Sequence, residues 1–220
     1  MFPVSDVIPS RGTPVVTICL IALNALTFLY ELTLSDRELQ RLVQMYGVVP
    51  AALAPASIVT SMFLHGGWLH FLGNMVYLWI FGDNVEDRLG HARFLLFYLG
   101  CGAAAALGQV GTNPTSLAPM VGASGAIAGV MGAYFVLFPH SRVLTAVFVP
   151  FLVDLIEIPA IAFLGIWFLL QFFIAVGSLG ADVAGGAAAF WAHVVGFGAG
   201  VLTGLLWRVR DHRQLERWEY

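Results

Sequence analysis

Six apolar runs, each close to the ~20 residues that a helix needs to cross hydrocarbon, divide this chain of 220 residues. They cover 13–32, 58–81, 94–110, 120–138, 158–176 and 187–207, and nearly all the charges fall between them. No backbone amide can stay unpaired in lipid, so runs of this length read as membrane helices. Composition agrees: 59% of the residues are hydrophobic and 10% charged, against roughly a quarter charged in soluble domains. Mean hydropathy is +0.85. The same balance excludes a disordered chain, and a net charge of -3 excludes a basic nucleic-acid binder. Cys19 and Cys101 sit inside apolar runs, where thiols behave as small buried hydrophobes rather than as a disulfide framework.

The first run is too long for a signal-peptide core and has no basic leader, so it is expected to remain as a span. Segment 143–159 is apolar but carries Asp154, Glu157 and two prolines. It is expected to be a connection at the membrane interface, with a seventh helix as the alternative. All ten basic residues are arginines, eight on the side of the termini and only Arg37 and Arg41 on the first loop. The positive-inside bias then puts both termini in the cytoplasm. Loop 33–57 becomes external, and Leu39, Leu42, Val43 and Tyr46 recur in it at helical spacing, as in a segment lying on the bilayer or packing on the bundle. One helical domain over residues 1–220 follows, with short cytoplasmic ends at 1–12 and 208–220. The lack of a transit-like leader favours a bacterial plasma membrane.

Polar groups inside spans are costly and usually face the bundle interior or water. His70 and Asn74 in the second run, Ser124 in the fourth and His193 in the sixth stand out. Each alone has a plain explanation, since a membrane serine usually bonds a backbone carbonyl and an asparagine usually joins helices. Together they share a depth: at ~1.5 Å per residue, Ser124 and His193 lie ~6 and ~9 Å inside the outer ends of their runs. His70 and Asn74 join that level only if their helix starts near Gly67. Gly122, Gly125, Gly129 and Gly132 thin the fourth run, and Gly196, Gly200 and Gly204 follow His193 at helical spacing, which lets the two helices approach closely.

A serine hydroxyl attacks only when a base takes its proton, and neutral histidine is the usual base. Ser124 and His193 supply such a pair, and no carboxylate lies within the second, fourth or sixth run to orient the imidazole, so a dyad is expected. His70, Asn74 and the Ser124 amide could hold the charge of a tetrahedral intermediate. The uncharged loop 111–119 could dip inward and open the site to external water.

With these residues in hand, the chain resembles the rhomboid family of intramembrane serine proteases over nearly its whole length. The family's G-x-S-G stands as Gly122-Ala123-Ser124-Gly125, its H-x-x-x-x-H-x-x-x-N as His65, His70 and Asn74, and its A-H-x-x-G as Ala192, His193 and Gly196. The resemblance implies an all-α membrane protein, a bundle of six transmembrane helices. It makes Ser124 the nucleophile, His193 the base, and His70 and Asn74 the oxyanion donors. It assigns His65, Gly122 and Gly125 structural roles near the site, and Glu86 and Arg88 a bracing role at the cytoplasmic turn. Substrates would be transmembrane proteins in the lipid bilayer, cleaved beside small residues and admitted past the fifth span and loop 180–186, with no metal or organic cofactor. Two features depart from the pattern of some members. Ala128 stands where an aromatic ring would stack on the histidine, so something else must hold the imidazole, and no Trp-Arg pair occurs in 33–57.

Two other classes compete. A haem-binding bundle would use His65, His70, His140 or His193 as axial ligands, and a non-catalytic binder of membrane helices would be indifferent to Ser124. Zinc and aspartyl intramembrane proteolysis are disfavoured, because the chain has no H-E-x-x-H and no aspartate pair within its runs.

Overall fold

The computed structural model describes residues 2–149, 152–178 and 190–210. Loop 180–186 with Asp182, the first residues of the sixth run and the tail beyond 210 lie outside the described residues. In chain order the elements are β1 (Phe2–Asp6), α1 (Val15–Glu31), α2 (Asp36–Tyr46), α3 (Ser57–Thr60), α4 (Trp68–Leu89), α5 (His91–Thr112) and α6 (Ser124–Leu137). They are followed by β2 (Arg142–Val149), β3 (Leu152–Pro159), α7 (Ala160–Gly177) and α8 (Phe190–Arg210). Three of the helices, at His91–Thr112, Ala160–Gly177 and Phe190–Arg208, are long and apolar enough to cross a membrane, while α1 and α6 are apolar but shorter.

α6 is apolar on every side and buried along nearly its whole length, so it forms the centre of the bundle. It packs against α4, α5, α7 and α8. Contact with α8 is backbone to backbone. A Cβ at Gly196 would run into the carbonyl oxygen of Gly125, one at Gly200 into that of Gly129, and one at Gly132 into that of Phe197. The outer helices show apolar side chains outward. Ile166, Leu169, Leu170 and Phe173 of α7 are exposed, as a helix facing lipid requires.

α1 begins after Pro14, which has no side chain to cap it. Glu86 of α4 performs that task from across the bundle. Its carboxylate accepts the Val16 and Thr17 amides at 2.8 and 2.7 Å and the Thr17 hydroxyl at 2.7 Å, a negative group placed where the helix dipole is positive. α2 has a reciprocal cap: the Ser35 amide and hydroxyl both donate to Glu38, which lowers the Glu38 carboxyl from its ordinary range. Of its apolar stripe, Leu39, Leu42 and Val43 are half-buried and Tyr46 is exposed.

The fold is not all-α. Segment 142–159 is not a seventh helix: the connection is an antiparallel hairpin, paired from Arg142↔Pro159 to Val149↔Leu152. β1 adds to its other edge to give the sheet order β1-β2-β3. Val143, Thr145, Val147 and Val149, spaced by two, suit a pleated strand better than a helix. The β1 end is fastened to the bundle through Asp6, whose carboxylate accepts from the Tyr134 hydroxyl at 2.6 Å and from the Asn84 amide at 2.9 Å.

Burial pushes the Asp6 carboxyl up from 3.8 to about 7, with the Tyr134 hydrogen bond opposing and the Asp83 charge assisting. The folded chain therefore keeps a proton that the unfolded chain releases, so this group's contribution is full below pH 3.8 and is lost as pH rises through about 7. Thermal unfolding in micelles at about pH 5 and about pH 8 should show lower stability at the higher pH, and Asp6→Asn should flatten that difference. An unaltered slope in the variant would contradict the assignment.

Candidate active site

The four polar residues picked from the runs come together at one end of the bundle. α4 starts at Trp68, because Gly67 with φ of 142° breaks the chain direction after the turn 61–63. This meets the condition under which His70 and Asn74 share a level with the other two. They lie one turn apart on the same face of α4. α6 starts at Ser124 itself rather than near 120 as the apolar run suggested. Residues 119–122 lead into it as non-helical chain. Met120 exchanges both backbone hydrogen bonds with Val48, at 2.8 and 2.9 Å, and the Gly122 amide donates to the Ser61 carbonyl at 2.8 Å.

Ser124 Oγ lies 2.8 Å from His193 Nε2. On the far side of the ring, His193 Nδ1 lies 2.8 Å from Oε1 of Gln171, which comes from α7. The imidazole is also met by Trp167 at 5.9 Å between ring centroids and edge-on by Phe190 at 6.1 Å. The first turn of α8 is held by Gln109 of α5, whose amide oxygen accepts the Ala192 N–H at 3.2 Å.

His70, Asn74, Ser124, Trp167, Gln171 and His193 line one cavity of about 690 Å³, the size of an ordinary ligand site. Ala118 and Pro119, at the end of the uncharged stretch 111–119, are also in its wall. Asn74 is buried, and its amide nitrogen has no hydrogen-bond partner among the described residues. His70 Nδ1 faces the Gly66 amide in a long contact of 3.4 Å, which favours the proton on Nε2. That nitrogen is turned towards Gly122. Behind it, His65 is buried, its amide donating to Glu31 at 3.2 Å and its ring packed on His70, Phe28 and Phe71. Gly125 lies against Ala105 and Ala192. A second space of about 20 Å³ beside Ser124, bounded by Ser61, Gly122 and Ala192, is large enough for about one water.

The arrangement joins a hydroxyl to an imidazole and sets a buried amide donor and a second imidazole across the same cavity. Gln171 and Gln109 were not picked from the sequence. Gln171 is the only amide side chain in run 158–176, so the rule that singled out Ser124 and Asn74 would also have found it.

Gly122 has φ of 124°, and a Cβ there would meet Cε1 and Nε2 of His70 well inside contact distance. Gly122→Ala should therefore cost roughly 1–3 kcal/mol of stability and push the His70 ring out of the cavity. Unfolding in mixed micelles and a structure of the variant would check this, and an unmoved ring at wild-type stability would contradict it.

A family model described as "Rhomboid domain" matches residues 54–210. The chain is 31% identical to Rhomboid protein 1, mitochondrial, of Saccharomyces cerevisiae over 152 residues, 67% of this chain and 40% of the relative. It is 34% identical to Rhomboid protease GluP of Bacillus subtilis over 127 residues, 56% of this chain and 24% of the relative. With the human Presenilin-associated rhomboid-like protein, mitochondrial, identity is 31% over 137 residues, 60% of this chain and 35% of the relative. The chain thus spans less than half the length of each of these relatives.

Proposed function

The chain belongs to the rhomboid family and is an integral membrane protein, and from that premise we propose that it is a serine endopeptidase cleaving peptide bonds in or near transmembrane segments of membrane proteins. The observation that carries this reading is the 2.8 Å approach of Ser124 Oγ to His193 Nε2 at the wall of a cavity. His193 Nε2 takes the hydroxyl proton as Ser124 Oγ adds to the scissile carbonyl carbon. The resulting oxyanion is held by the unpartnered Asn74 amide, by His70 Nε2–H and by the Ser124 backbone amide at the start of α6. The protonated imidazole then gives its proton to the departing amine, leaving an acyl-Ser124. Water, activated by His193 in the same way, hydrolyses the ester and restores the hydroxyl.

The supporting frame is a six-span bundle with both termini cytoplasmic and the site opening to the outer face, in keeping with the arginine distribution. In a six-span arrangement α6 needs no more length than it has. Its 14 residues reach only ~21 Å, short of the ~30 Å of hydrocarbon, so its N-terminal serine lies below one surface when its other end meets the opposite one. The haem-binding alternative is disfavoured by His193, both of whose ring nitrogens already have partners.

Purified protein should cleave a single-span model substrate in detergent, and Ser124→Ala or His193→Ala should each reduce the rate by at least about 10³-fold. A fluorophosphonate should label the wild type and fail to label Ser124→Ala. Cleavage that survives either substitution would overturn the dyad, and a protein that neither cleaves nor labels would be a binder of membrane helices.

A further inference from the structure

The dyad reading leaves open what fixes the imidazole. A neutral histidine carries one ring proton, and only the tautomer with a bare Nε2 can accept the Ser124 proton. Serine can donate to or accept from that nitrogen, so the Ser124 contact alone does not select a tautomer. The partner of Nδ1 does. Among the described residues no carboxylate hydrogen-bonds the ring, and the atom 2.8 Å from Nδ1 is the amide oxygen of Gln171. A carbonyl oxygen has no proton to give, so it is satisfied only when Nδ1 carries one.

We propose that Gln171 is the positioning residue of His193, holding the proton on Nδ1 and the Nε2 lone pair on Ser124. This rests on the dyad reading above. Three elements then meet at one ring: α8 carries it, α6 presents the serine and α7 selects its tautomer. Trp167, one turn before Gln171 on α7, packs against the same imidazole and restrains its tilt, so both contacts come from one face of one helix. A neutral amide suits this place. An ionised carboxylate at this half-buried position, beside Trp167 and Phe190, would lose part of its hydration. The amide supplies directional acceptance without that penalty, at the expense of weaker support for the imidazolium formed during attack.

The test compares Gln171→Leu, which keeps volume and removes the acceptor, with Gln171→Glu, which keeps a carbonyl oxygen in either protonation state. Steady-state cleavage of the model substrate should show kcat lowered by about 10- to 100-fold in Gln171→Leu with KM changed by less than about threefold, and kcat recovered to within about threefold of wild type in Gln171→Glu. Imidazole ¹⁵N spectra of His193 read the tautomer without reference to activity. Wild type and Gln171→Glu should show a protonated Nδ1 and a bare Nε2, and Gln171→Leu a mixture. Wild-type kcat in Gln171→Leu, equal losses in both variants, or a wild-type His193 protonated at Nε2 would each overturn the positioning role. Loss of the dyad reading would look different: Ser124→Ala would keep cleaving, whatever the ¹⁵N spectra show.

Discussion

Everything at the site depends on how closely the backbones of α6 and α8 approach. In lipid the hydrophobic effect gives helices no reason to associate, and packing contacts between small residues take over. Gly132 of α6 and Gly196 and Gly200 of α8 let carbonyl oxygens of one helix rest where a Cβ of the other would be, the oxygens beneath Gly196 and Gly200 being those of Gly125 and Gly129. This shared seam runs from the cavity end towards the middle of the bundle. Ser124 stands one residue before its first glycine and His193 three residues before Gly196. Any side chain in the seam would separate the axes by more than the slack in a 2.8 Å contact, so the glycines set the distance between hydroxyl and imidazole as directly as those two residues do.

The second constraint is backbone satisfaction. α6 is short because residues 113–123 do not join it, and irregular chain at that depth is tolerated only if its amides and carbonyls find partners or line a wet cavity. They do find partners. Val48 pairs with Met120, Ser61 accepts from Gly122, and Ala51 donates to Ser116. The loop after α2 therefore acts as a substitute strand for the chain leading into Ser124. That arrangement explains why Val48 is fully buried in a segment with no regular structure of its own, and why Gly122 can hold a left-handed conformation beside His70 without leaving a polar group stranded.

What the sequence disclosed follows the same physics. Glycines at helical spacing, two adjacent glycines before His70, and a serine and a histidine inside apolar runs are each anomalous against a lipid-facing background, and they were legible for that reason. The family resemblance was legible in the same residues. The hairpin at 142–159 was not, because an apolar segment with two prolines fits an interfacial stretch as well as a pair of strands, and the partner that makes it a sheet, β1, is more than a hundred residues away. The start of α6 is hidden from hydropathy for a related reason: Met120, Val121 and Ala123 are as apolar as the helix they precede, so hydropathy cannot mark where the backbone stops being helical. Gln171 was legible only as one more amide inside an apolar run, because it neither titrates nor attacks.

The two ends of α6 divide the work. At one end Tyr134 joins Asp6 and Ser141, Asn84 joins Asp6, and the sheet is bound to the bundle through groups that meet no part of the cavity. At the other, Ser124, His193, His70 and Asn74 meet around an open volume, with the Asn74 amide nitrogen unpartnered among the described residues. Between them α6 is small, apolar and buried, a rigid spacer of the kind that holds side chains to sub-ångström geometry better than loops do. α7 stands outside this economy of burial: only Ala160, Phe163, Leu164 and Ala175 are buried on it. Its hold on the imidazole through Gln171 and Trp167 therefore ties the alignment of hydroxyl and imidazole to the seating of the least enclosed of the three long apolar helices.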